Sequence, residues 1–254
     1  MPGRMLEGVR AVVTGGSSGI GAAIARRFAC EGASLWVAGG ANAEGMKAAV
    51  EACRKEGAKA GGKSYDFGRA AQAGEAVREG AAFLGGLDVL VNCHATRCHK
   101  PLVEFTDEDI DRLYEVNAKS VFIASREAAK IMLPQGKGRI LMIGSIDGIR
   151  GVPGNALYGA TKTSMHNMAK AFAVELGPKG IRVNCLAPGT TESERVKITH
   201  ANRPEYAASK LPNIPARRFA QPEEMAALAA FMVCGENDFM NGTVVVSDGG
   251  VLAV

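Results

Sequence analysis

The chain has 254 residues, 47% of them hydrophobic and 22% charged, the balance of a globular protein about one large domain in size. Thirty basic against 26 acidic residues leave +4, too slight a surplus to imply a nucleic-acid partner, and no apolar stretch nears the roughly 18 uncharged residues of a membrane span. Arg4, Glu7 and Arg10 precede any apolar run, the wrong order for a secretory leader, so Cys30, Cys53, Cys93, Cys98, Cys185 and Cys234 are expected as free thiols in a reducing cytoplasm.

Taken in chain order, short apolar runs alternate with longer helical stretches. Ala11–Val13 reads as the first strand, and Thr14-Gly15-Gly16-Ser17-Ser18-Gly19-Ile20-Gly21 follows it into a helix over Gly19–Glu31. Gly15 permits the turn, Gly19 lets backbone approach a pyrophosphate, and Gly21 lets the helix pack on the strand; the helix N-terminus supplies N–H groups for phosphate. After the second strand, Leu35–Val37, the segment Ala38-Gly39-Gly40-Ala41-Asn42 offers neither a carboxylate for the ribose hydroxyl of NAD nor a cation for the phosphate of NADP. The missing repulsive group leans the expectation to NADP and leaves NAD open.

Helices are expected over Asn42–Glu56 and Ala70–Leu84, with a weaker strand between them ending near Tyr65-Asp66. Asp88–Val91 reads as a strand, and a helix follows over Thr106–Leu133, with Thr106 and Glu108 read as its capping box. Strand Ile140–Ile143, helix Leu157–Leu176 and strand Ile181–Asn184 come next, then helix Pro222–Cys234 and strand Thr243–Val246. Most strands are continuously apolar, as in a sheet buried on both faces. The pattern predicts one α/β domain over residues 1–254, a doubly wound parallel sheet of about seven strands with helices on both faces. Thr190–Gln221, with Pro204, Pro212 and Pro215, breaks the rhythm and is read as a substrate-loop insertion at the carboxyl edge of the sheet.

Ser145 follows the strand Ile140–Ile143, and Tyr158 and Lys162 stand four apart on one helix face. A lysine cation and an oxidised nicotinamide ring favour a phenolate, so the tyrosine can act as general acid or base on an alcohol or carbonyl oxygen. Ser145 can hydrogen-bond that oxygen as its charge changes. With the glycine turn, these residues resemble the short-chain dehydrogenase/reductase family in its shorter one-domain branch, over nearly the whole chain from Val12-Val13-Thr14-Gly15 to Ser247-Asp248-Gly249-Gly250.

The resemblance implies a Rossmann-type fold and an NAD(P)-dependent oxidoreductase acting between a secondary alcohol and a ketone. It implies Tyr158 as acid/base, Lys162 as the nicotinamide-ribose ligand, Ser145 as donor to the substrate oxygen and Asn117 as holder of a relay water. Gly15, Ser17, Ser18, Gly19, Ile20, Gly21, Asp66, Phe67, Asn92, Pro188, Gly189, Thr191 and Ser193 would bind cofactor, Asp66 at the adenine. A cytoplasmic dimer or tetramer built on the long central helices is also implied, with the tail Val251-Leu252-Ala253-Val254 suited to an interface.

One departure stands out: the family's Asn-Asn-Ala-Gly is Asn92-Cys93-His94-Ala95 here, which sets an imidazole near the expected cofactor. Cys93-His94 and Cys98-His99 could suggest a metal, but adjacent strand residues face opposite ways and the chemistry needs none, so no metal site is expected. His94 or His99 is read as pocket-lining, and His166 and His200 as surface residues. Two alternatives remain open. One is a 3-oxoacyl-[acyl-carrier-protein] reductase, with Arg126 and Lys130 as a docking patch; the other is a dinucleotide sensor without turnover. Specificity is expected in residues 94–100, 147–155 and 190–220.

Overall fold

Apolar residues at alternate positions of each strand face two different helix layers. Val13, Leu35, Val37, Val89, Val91, Leu141 and Ile143 belong to one core, and Val12, Leu90, Ile140, Met142 and Val183 to the other. The computed structural model, which describes residues 4–193, 196 and 205–254, makes these strands a single sheet. They are β1 (Arg10–Thr14), β2 (Ser34–Gly39), β3 (Ala60–Ser64), β4 (Val89–Asn92), β5 (Gly138–Ile143), β6 (Ile181–Pro188) and β7 (Val244–Ser247). The order is β3-β2-β1-β4-β5-β6-β7, with every neighbouring pair parallel. The expected doubly wound sheet is therefore present.

Helices α1 (Gly19–Cys30) and α2 (Ala43–Lys55) cover one face; α3 (Ala71–Leu84) covers the other. The chain starts mid-sheet, runs outward to β3, and returns to the far side of β1 at β4. That reversal opens a crevice at the carboxyl ends of β1 and β4, where open parallel sheets bind ligands.

The helix expected over Thr106–Leu133 forms as three pieces: α4 (Asp107–Tyr114), a π-helical turn (Glu115–Lys119) and α5 (Ser120–Gln135). The wider turn carries Val116, Asn117 and Ala118 inward together, and all three are buried. The capping box at α4 pairs Thr106 with Asp109 rather than Glu108, because a box needs its acid at the third helical position. Further on lie α6 (Ala156–Leu176), α7 (Glu205–Lys210) and α8 (Pro222–Val233), with α8 packed on α1 in the first core and α6 in the second. β6 runs four residues past the predicted Asn184, because Cys185, Leu186 and Ala187 stay buried between β5 and β7.

In the irregular stretch, Thr191 bridges to Ala220, so the excursion leaves and rejoins the sheet edge at one point. Ile214 and Phe219 pack with Ile146 and Val251, which buries the start of the apolar tail inside the chain while Val254 stays exposed. Pro204 and His200 lie outside the described residues. His166, expected at the surface, is buried, because its face of α6 turns onto Gly144 and Gly148.

Candidate active site

A cavity of about 440 Å³ opens at the carboxyl edge of the sheet. Gly15, Ser17, Ser18, Gly19, Ile20 and Gly21 form one side of it. Gly15 and Gly19 take φ of +67° and +53°, which other residues adopt only at a cost. A side chain on Gly21 would strike the Gly15 carbonyl oxygen, so α1 can start this close to β1 only with glycine there. The N-cap Ser18 makes no side-chain cap, which leaves the first-turn N–H groups of α1 facing the cavity for an anion. Gly40 also lines the cavity, with open space where a side chain would stand. These features fit a dinucleotide with its diphosphate on the helix end.

On the opposite wall, Ser145, Tyr158 and Lys162 come together although they belong to β5's exit and to α6. Tyr158 is 7% exposed, and among the described residues its hydroxyl has no hydrogen-bond partner. The Ser145 Oγ accepts the Asp147 N–H at 3.1 Å, which leaves its own proton free to point into the cavity. Lys162, 2% exposed, donates from Nζ to the Ile143 carbonyl at 2.7 Å and lies 5.7 Å from the centre of the Tyr158 ring.

Pro188, Gly189, Thr191 and Ser193 line the cavity at the exit of β6, and Phe67 lines it beside the glycine turn. Three other expected residues do not line it. Asp66 stays exposed and closes its own turn, accepting the Gly68 N–H at 2.9 Å and facing Arg69. Asn92 is buried behind the wall and donates to Ser125 Oγ at 3.0 Å. Asn117 ties two segments together. Its Oδ1 accepts the Thr96 N–H at 2.8 Å, and its Nδ2 donates to the Thr96 carbonyl and to Thr161 Oγ1 at 2.9 and 3.1 Å. Both amide protons are thereby committed, so the side chain braces the wall rather than facing the cavity.

Residues 15–252 match the family described as Enoyl-(Acyl carrier protein) reductase. The chain is 35% identical over 250 residues to gluconate 5-dehydrogenase of Gluconobacter oxydans, covering 97% of this chain and 95% of that one. A short-chain dehydrogenase of Burkholderia cenocepacia, solved in complex with NADP, superposes with a TM-score of 0.90 at 34% identity, over 98% of this chain and 99% of the other. The chain belongs to the short-chain dehydrogenase/reductase family. A third relative, the 3-oxoacyl-[acyl-carrier-protein] reductase of Thermotoga maritima, is 34% identical over 247 residues, covering 97% of this chain and 99% of its own.

Within this short-chain dehydrogenase/reductase, His94 turns away from solvent. The ring stacks on Phe67 at 4.2 Å between centres, and its nitrogens meet Thr14 Oγ1 at 2.7 Å and Ser120 Oγ at 2.5 Å. The Ser120 hydroxyl also donates to the Val116 carbonyl, so Nε2 is the donor to Ser120, while the Thr14 hydroxyl faces both Nδ1 and the Val91 carbonyl. Burial, and then the Lys162 charge, push this histidine down to about 3. The imidazole is thus held beside the cradle while still lining the cavity, and a side chain on Gly15 would meet the His94 backbone at 2.6 Å. His99 meets Asn155 Oδ1 at 3.2 Å and does not line the cavity.

Arg126 and Lys130 both bind Glu127, which is also paired with Arg78. Together with Arg78 of α3 they surround the single carboxylate of Glu127, a cluster that keeps a positive surplus and lies apart from the residues lining the cavity. Several lining residues carry no individual mark in the sequence, among them Arg97, Asp147, Arg150, Asn155 and Lys210. Their segments, after β4, after Ser145 and after β6, were the available signal.

Proposed function

We propose that the chain interconverts a secondary alcohol and a ketone with a nicotinamide dinucleotide, Tyr158 moving the proton. The observation that carries this reading is a buried phenol whose hydroxyl has no partner among the described residues, set on a cavity wall with Ser145 and Lys162 opposite a glycine cradle. Gly15 to Gly21 would hold the diphosphate, Phe67 and Gly40 the adenosine end, Lys162 the nicotinamide ribose, and Pro188, Gly189, Thr191 and Ser193 the nicotinamide end. When bound, the nicotinamide ring gives or takes the hydride.

Ser145 donates its free proton to the substrate oxygen, and Tyr158 donates or removes the proton that this oxygen gains or loses. Lys162, anchored on Ile143, keeps a positive charge against the tyrosine ring. Asn117 acts through its bonds to Thr96 and Thr161.

NADP is the favoured dinucleotide. Support comes from the open space at Gly40, from the absence of a carboxylate across Ala38–Asn42, and from the NADP in the Burkholderia relative. A homotetramer working in the cytoplasm is the assembly we infer; the half-exposed Phe122 of α5, edge-on to Phe172 of α6, supports contact through those helices.

Oxidation of NADPH and NADH with a panel of ketones tests the reading. Tyr158→Phe is expected to cut kcat/KM by about a thousandfold while dinucleotide binding, followed by NADPH fluorescence, persists. Retained turnover in this variant would overturn the mechanism. Binding without turnover in the unaltered protein would favour a sensor.

A further inference from the structure

Arg97 sits with its guanidinium carbon 4.1 Å from the centre of the Tyr158 ring, stacked on the group that handles the proton. One of its nitrogens is fixed by Asp147 Oδ2 at 2.9 Å. Asp147 is itself held by Asn155 Nδ2 at 2.9 Å and passes its N–H to Ser145. The arginine is therefore positioned by the same short segment that positions the serine. Among the described residues, the other guanidinium N–H groups bind nothing, and about a third of the side chain remains open to the cavity.

Arg150 lines the same cavity, and its guanidinium has no hydrogen bond or ion pair among the described residues. Lys210 lines the wall as well. Asp147 is the sole carboxylate among the described lining residues, and Arg97 already engages it. The described lining accordingly holds more cations than carboxylates. The glycine cradle, where the cofactor phosphates would lie, is formed by the turn after β1, and Arg97 and Arg150 belong to segments after β4 and β5.

We propose that the substrate carries a carboxylate close to its reacting carbinol carbon, and that Arg97 receives that group, with Arg150 a second cation in the same lining. The proposal rests on the alcohol–ketone reading of the site. A guanidinium presents paired N–H donors that match two carboxylate oxygens, and partial burial strengthens the bond. Because the Arg97 guanidinium carbon is 4.1 Å from the centre of the Tyr158 ring, a carboxylate held by its free N–H groups comes within a few bonds of the oxygen that Tyr158 and Ser145 address. A hydroxy acid fits this geometry; a long neutral alcohol leaves the arginine donors without acceptors, which selects against it.

The test uses matched pairs of short oxo acids and their primary amides, with the protein saturated in dinucleotide. Both kcat/KM and the binding constant, from quenching of NADPH fluorescence, are measured for each pair. The wild type is expected to favour the acid at least tenfold. In Arg97→Met the ratio should fall to within about threefold of unity, Arg97→Lys should lie between, and Arg150→Met should lower it less. The ratio cancels general damage from the substitutions. A wild-type ratio near one, a ratio unmoved by both methionine variants, or no binding by any acid would overturn the proposal. If acids bind selectively but no pair is turned over, the binding ratio still upholds the carboxylate site and it is the oxidoreductase mechanism that fails.

Discussion

The distinction between touching the reaction and holding the wall in place is sharpest for Ser145 and Asn117. Ser145 faces the cavity with a free proton, so Ser145→Ala should lower kcat by about a hundredfold with little change in dinucleotide affinity. Asn117 has spent its amide on Thr96 and Thr161. Asn117→Ala leaves the Thr96 N–H without its partner, and a loss of about 2 kcal/mol of stability is expected by urea denaturation. Ser145, Tyr158 and Lys162 were legible in the sequence because one strand exit and one helical turn set their relation locally. Arg97 was not, because its place over the tyrosine ring arises only when the segment after β4 meets α6. Asp66 was singled out as well, and in the structure its carboxylate also closes a local turn by accepting the Gly68 N–H.

At the scale of elements, the glycine turn shows how little space decides whether a helix can dock. Gly21→Ala would drive a methyl group into the Gly15 carbonyl oxygen and lift the start of α1 off β1. We expect dinucleotide affinity to drop more than tenfold by fluorescence titration, because the helix N–H groups would no longer converge on one point. The strands, the longer helices and their layering on both faces followed from periodicity and element order, whereas the short α7 lies in the stretch read as irregular. The π-helical turn did not. The apolar pattern of Thr106–Leu133 is continuous, and only packing of Val116, Asn117 and Ala118 against the wall makes one turn wider. The seat found for His94 was equally hidden, since its partners Thr14, Phe67 and Ser120 come from three separate elements.

For the whole molecule, two buried histidines link stability to acidity. Burial and the Lys162 charge push His166 down to about 4, beside His94 at about 3. An unfolded histidine titrates near 6.5, so below that pH the unfolded chain binds protons that the native chain refuses. Stability is then lost as pH falls from about 6.5 towards 4, by on the order of 1 kcal/mol per pH unit for each ring. Urea midpoints near pH 7 and pH 5 should show the decline, and His166→Gln should make it shallower. An unchanged slope in that variant would show that the ring titrates normally in the folded protein.

The cysteines carry a practical corollary. Burial pushes Cys53, Cys93 and Cys185 up to about 12, so these sulfurs stay as thiols and rarely as the nucleophilic anion. Cys93 does so while lining the cavity itself. Iodoacetamide at neutral pH should therefore label the exposed Cys30 well before these three sulfurs, as peptide mass mapping would show.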